Sequence, residues 1–176
     1  MDALDRLSTF LRDEGYVVEQ QPQPAPTRLF ATKRGHSAGI FLPYTDFVFV
    51  HACDEGDSAD AARVRRLHEQ ARGYASSQMR VPRALRYRVP NVITIAVSES
   101  GFSDDVVAFA ETPSDTSPLG GERHSVYLLD LAAKRLVSAG LMVTHGPHGA
   151  RTTTSANPTN RVYRMLEGFA RRLFGE

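Results

Sequence analysis

At 176 residues the chain has the size of one ordinary domain, enough to bury a core without a metal or disulfide staple. Its single cysteine, Cys53, excludes an intrachain disulfide, and 21 Lys and Arg against 20 Asp and Glu give a net charge of +1, so total charge makes no case for nucleic acid. Met1 leads into Asp2-Ala3-Leu4-Asp5-Arg6 rather than a basic segment with an apolar core, and no apolar stretch nears the ~20 residues that cross a bilayer; the expectation is a cytoplasmic protein without membrane contact.

Leu4, Leu7, Phe10 and Leu11 recur at helical spacing, and Gly15 stands where such a helix stops. Tyr16 to Glu19 then reads as a short strand, and Gln20 to Thr27, with prolines in alternation, as an extended polar link. Strands are expected at Arg28 to Lys33 and Gly39 to Leu42, and a third at Asp46 to Ala52. There Phe47-Val48-Phe49-Val50 is a continuous apolar run, the pattern of an interior strand covered on both faces. Asp54 to Asp60 is an acidic loop with Ser58 as the expected helix cap. Ala61, Val64, Leu67, Ala71, Tyr74 and Ala75 place one apolar stripe on the following helix, with arginines on its other face.

Pro82 and Pro90 bracket a basic connector, after which Asn91 to Val97 is apolar nearly throughout and reads as a strand. Asp104 to Glu111 is predicted as a short helix with acids in its first turn, and Thr112 to Gly121 as loop. Ser125 to Leu131 and Arg135 to Val137 form an expected hairpin turned at Ala132-Ala133-Lys134 and extended by Leu141-Met142-Val143. His145 to Asn157 lacks periodicity and reads as a mobile loop. Pro158 opens a last helix to Phe174, with Val162, Met165, Leu166, Phe169, Leu173 and Phe174 inward and Gly175 beyond its end. No internal repeat divides the chain; one domain, 1–176, is expected.

Charge is unevenly distributed. Between Ala61 and Pro90 eight arginines meet one acid, Glu69; between Val97 and Asp130 seven acids meet only Arg123. Two readings stand: the halves neutralise each other across the fold, the simpler one, or the basic half is a binding surface. In the second, Arg63, Arg66, Arg72, Arg80, Arg83 and Arg86 contact nucleic-acid phosphates or a partner chain, with Tyr74 and Tyr87 placed to stack on bases.

Gly35-His36-Ser37-Ala38-Gly39 fits the G-x-S-x-G pattern of a nucleophile elbow, which would make Ser37 the nucleophile and His124 or His145 its base. The β-branched and aromatic residues that follow give a strand-turn-strand context instead of strand-turn-helix, so a hairpin is the better reading. His51, Cys53, Asp54, Glu55 and Asp57 crowd the end of the predicted third strand without metal-ligand spacing, and His145 and His148 lie in a Gly-Pro loop; no metal or cofactor is expected.

The segments Leu11-Arg-Asp-Glu-Gly15-Tyr16-Val17-Val18-Glu19, Asp46-Phe-Val-Phe-Val50, Arg63 to Tyr74 and Val92 to Val97, taken in order, resemble the restriction-endonuclease-like (PD-(D/E)XK) superfamily, closest to its small Holliday-junction-resolvase-like members. The resemblance is one of pattern and covers residues 1–100. It implies a three-layer α/β/α fold with a mixed sheet, an α-β-β-β-α-β core, and here a C-terminal β-hairpin and helix over residues 101–176. It also implies an Asp on the second core strand and a Glu-x-Lys on the third, holding Mg²⁺ and activating water. Those positions fall on Ala38 (or Gly39), His51 and Cys53, so the resemblance implies a scaffold without nuclease chemistry. The expected function is therefore a non-catalytic binding or assembly protein whose partner is nucleic acid, another protein or a second copy of the chain. The alternatives are a divergent metal-dependent nuclease using Asp46, His51 and Asp54, and a small serine hydrolase using Ser37.

Overall fold

The computed structural model describes residues 2–20, 26–36, 43–53, 60–79, 89–112, 114–116, 123–139, 142–146, 149–153 and 158–175. Helix α1 (Ala3–Asp13) begins where the Asp2 carboxylate accepts the Asp5 N–H at 2.7 Å. It ends in a Schellman turn: Gly15, at φ 82°, donates to the Arg12 carbonyl, and Tyr16 donates to the Leu11 carbonyl. The left-handed backbone at Gly15 therefore both stops the helix and turns Tyr16 back into the core, where it is 4 % exposed.

The chain then runs β1 (Val17–Gln20), β2 (Leu29–His36), β3 (Pro43–Ala52), α2 (Ala61–Gln78), β4 (Val89–Ser98), α3 (Asp104–Glu111), β5 (Ser114–Thr116), β6 (Arg123–Asp130), β7 (Arg135–Val137), β8 (Met142–Gly146), β9 (Gly149–Thr153) and α4 (Pro158–Phe174). The main sheet is mixed, in the order β1-β2-β3-β4-β6-β7. β1, β2 and β3 are antiparallel neighbours, β3, β4 and β6 are parallel, and β7 returns antiparallel to β6. Among the described residues the first half runs helix, three strands, helix and strand. β3 lies inside the sheet, and residues 44 to 51 are all buried, as the apolar run predicts.

Alternation assigns the two faces. Val48, Val50, Ile93, Ile95, Tyr127 and Leu129 pack with Leu7 and Leu11 of α1 and Val162, Leu166 and Phe169 of α4. On the reverse face Cys53, Ala96, Val126 and Leu128 pack with Val64 of α2 and Val106 and Ala110 of α3, while Phe30, Phe47, Phe49 and Val92 meet Ala71 and Ala75 of α2. Helices therefore cover both sides of the sheet, α1 and α4 on one and α2 and α3 on the other. The C-terminal helix shares a core with the N-terminal one, including a Phe10–Phe169 ring contact at 5.1 Å.

Several expectations need correction. β3 starts at Pro43, and a proline is tolerated as the first residue of a strand; the strand expected at 39–42 lies outside the described residues. Asp60 caps α2 by accepting the Arg63 N–H at 2.6 Å, because it directly precedes the first helical residue, a place Ser58 does not occupy. The predicted loop after α3 contains β5, and Leu141-Met142-Val143 does not lengthen the β6–β7 hairpin. Instead β5, β8 and β9 form a separate three-stranded sheet, and β8 and β9 occupy much of the segment that reads as a mobile loop. The Gly- and Thr-rich sequence there carries no hydrophobic period, so only the pairing of backbone groups reveals the strands.

Candidate functional site

The register brings a row of polar residues to one level of the sheet. Lys33 of β2 pairs with Asp46 of β3, Asp46 with Asn91 of β4, and Asn91 with Arg123 of β6. By alternation all four belong to the face covered by α1 and α4. Asp46 is fully buried and accepts three hydrogen bonds: from the Tyr16 hydroxyl at 2.8 Å, from Asn91 Nδ2 at 2.7 Å, and from Arg161 Nη2 in an ion pair. Arg161 occupies the first turn of α4, the positive end of that helix dipole, where a cation is unfavourable unless an anion meets it. Burial works to lower its pKa, but the Asp46 charge prevails and raises it. Burial first, and then the Asp46 charge, drive the Tyr16 phenol far above its ordinary range, so it stays a donor.

Neighbouring residues seat this centre. Tyr44 pairs directly with Gly35, and a Cβ at position 35 would fall 2.5 Å from the Tyr44 hydroxyl; glycine lets the ring lie against the β2 backbone. The Arg161 guanidinium stacks 4.9 Å from the Tyr44 ring centre. Lys33 Nζ donates to the Glu14 carbonyl at the end of α1 and lies 5.2 Å from the Tyr16 ring centre.

The opposite face carries a histidine chain. His68 of α2 is 5 % exposed; its Nδ1 lies 2.8 Å from Thr94 Oγ1 and its Nε2 lies 3.0 Å from His124 Nδ1. The last pair shares one proton, so one ring donates and the other accepts. Burial, reinforced by His124, lowers the His68 pKa to about 3. His51 is 2 % exposed, neither ring nitrogen has a hydrogen bond among the described residues, and burial lowers its pKa to about 4. The Pro26 backbone works in the opposite direction, raising it, but burial prevails.

The residues singled out from sequence are thereby distributed. His51 and Cys53 share the α2 face, as their spacing implies, and Cys53 is 1 % exposed in the apolar cluster with Val64 and Val106. Asp46, five positions before His51, faces the other way, so the sheet stands between the first two residues of the nuclease alternative. Asp54 and Ala38 lie outside the described residues, as do Ser37, Tyr87, Arg80, Arg83 and Arg86. β2 and β3 pair antiparallel as far as His36 with Pro43, so Gly35 and His36 of the G-x-S-x-G segment belong to β2, and the rest of the segment lies outside the described residues. On α2, Arg65 and Arg66 are exposed, while Arg63 and Arg72 are half-buried and already interact with neighbours. Arg65 also lies over the Phe109 ring. No group of three or more potential metal ligands occurs among the described residues.

Sequence reasoning did not find Tyr16, Lys33, Asn91, Arg123 and Arg161 as a group, because they come from β2, β4, β6, α4 and the turn after α1, and only strand register and helix packing unite them. His68 did carry a signal: it falls among Val64, Leu67 and Ala71 on the buried stripe of α2. Compared with known proteins, the chain matches no family model, no curated protein and no solved structure.

Proposed function

We propose that this chain is a non-catalytic binding protein on a restriction-endonuclease-like scaffold, and that the outer face of α2 contacts the phosphates of nucleic acid. The observation that carries the reading is the division of β3 between the two faces of the sheet. Asp46 is consumed by three donors on one side, while on the other the thiol at the family's lysine position packs beneath α2 and α3 and the imidazole at its carboxylate position is buried on the same face. A hard cation needs several oxygen ligands converging from one side, and these residues do not supply them.

Arg65 and Arg66 supply exposed guanidinium groups next to the half-buried Arg63 and Arg72, against Glu69 as the one acid of α2. Guanidinium binds phosphate bidentately and releases condensed counterions, so affinity falls with salt.

The test is a salt titration of binding to a short DNA duplex and to single-stranded RNA. The wild-type chain should bind in a salt-sensitive way. The double variant Arg65→Glu, Arg66→Glu should bind at least about tenfold more weakly, and its salt slope on duplex DNA should be smaller by about 0.9 for each phosphate it no longer neutralises. Equal retention of the variant would remove α2 as the binding surface. Cleavage of either probe under Mg²⁺ or Mn²⁺ would overturn the non-catalytic reading and restore the nuclease.

A further inference from the structure

We propose that the row Lys33, Asp46, Asn91 and Arg123, with Arg161 closing over it, binds a phosphate group that carries a hydroxyl: hydrogen phosphate or a protonated phosphate monoester. This site lies on the face of the sheet opposite α2 and does not depend on the nucleic-acid reading.

Three features of the row lead to this ligand. Its formal charge is positive, since Lys33, Arg123 and Arg161 stand against the single carboxylate of Asp46. That carboxylate is already matched by Arg161, Tyr16 and Asn91, so it does not cancel the other two cations. Next, Arg123 is half-buried, and no hydrogen bond or neighbouring carboxylate among the described residues offsets the burial of its guanidinium. Burial works against its charge, as expected of a desolvated cation awaiting an anion. Finally, Asn91 is 4 % exposed and its Oδ1 has no donor among the described residues, while the buried Nε of Arg161 has no acceptor there. Such orphaned groups beside a bonded network are costly unless something completes them.

One ligand answers all three demands. Its oxygens accept from Arg123 and from Arg161 Nε, and its charge balances the surplus. Asn91 Oδ1 is an acceptor and requires a donor, which a hydroxyl on the anion provides. Hydrogen phosphate has both kinds of group. Sulfate at neutral pH has only acceptors, and so does a phosphodiester, which separates this site from the backbone of a nucleic acid. The first turn of α4, from which Arg161 reaches down, adds the positive end of a helix dipole. Lys33 spends one donor on the Glu14 carbonyl and keeps two for an anion at the rim.

The proposal is tested by calorimetric titration of the full chain at constant ionic strength and pH 6.0 with inorganic phosphate, methyl phosphate and sulfate, repeated with Arg123→Gln and with Arg171→Gln, an exposed arginine in the last turn of α4 outside both proposed sites. Expected is saturable phosphate binding by the wild type and by Arg171→Gln, a loss of at least about tenfold in Arg123→Gln, and clearly weaker sulfate binding. Methyl phosphate binding beside phosphate would identify an ester site, and binding of phosphate alone a site for the free ion; either supports the proposal. Absence of saturable binding, sulfate as tight as phosphate, or undiminished binding by Arg123→Gln would overturn it. Thermal unfolding in phosphate-free buffer supplies a second readout. An Arg123→Gln chain that unfolds earlier yet binds phosphate normally marks Arg123 as a purely structural cation.

Discussion

Asp46 illustrates how one residue can tie a fold together. It is fully buried, and its partners come from the end of α1, the start of β4 and the first turn of α4. Replacing it by Ala leaves a phenol, an amide and a guanidinium without their acceptor; Arg161 is partly exposed and recovers some solvation. The expected cost is about 2–4 kcal/mol in urea unfolding, and a loss below about 1 kcal/mol would show that the network contributes little. The buried histidines set the pH response. His51 and His68 are held neutral, with pKa values lowered to about 4 and about 3, whereas in the unfolded chain both take up protons near 6.5. The unfolded state therefore binds more protons at acid pH. The stability these two groups favour is complete above about pH 6.5 and declines as pH falls toward 4, by up to about 1.4 kcal/mol per pH unit for each histidine. Urea midpoints measured from pH 7 to 4.5 should fall accordingly, and His68→Gln should flatten the slope; an equally steep profile in that variant would assign the titration elsewhere.

At the scale of the element, glycines and caps convert local sequence into site geometry. The Schellman turn at Gly15 delivers Tyr16 to Asp46, so Gly15→Ala strains a left-handed backbone and disturbs a buried hydrogen bond. A loss of about 1–2 kcal/mol is expected by thermal or urea unfolding. Gly35→Ala should cost more, about 2–3 kcal/mol, because the new methyl meets the Tyr44 ring rather than open space. Its effect should shrink in a Tyr44→Ala background, and strict additivity of the two changes would refute the steric account. Such positions are only partly legible in sequence. Gly15 announces the end of a helix by following an amphipathic run, but nothing in Gly35 announces Tyr44 until β2 and β3 are in register. The strands β8 and β9 show the reverse failure: no periodic signal precedes them, since their pairing relies on backbone groups that every residue carries.

For the molecule as a whole, α4 belongs to the same core as α1 and the parallel strands, so residues at the far end of the chain stabilise its beginning. Leu166→Ala, at 2 % exposure, should cost about 2–5 kcal/mol in a single cooperative transition monitored by circular dichroism. A separate early melting of α4 would show that the helix is an appendage. No helix of the described residues is long and apolar enough to cross a membrane. What the sequence by itself determined was one-dimensional: the helices α1, α2, α3 and α4, the interior character of Phe47-Val48-Phe49-Val50, and the basic outer face of α2. Each of these follows from period and composition within a dozen or so residues. Tertiary structure alone decided which polar residues meet. Strand register and the packing of α4 bring Lys33, Asp46, Asn91, Arg123 and Arg161 together from five elements, and the twofold alternation of β3 sends Asp46 and His51 to opposite sides. A period of two is visible in a strand, but its partner, and hence the chemistry of a face, is fixed by hydrogen bonds between segments distant in the chain.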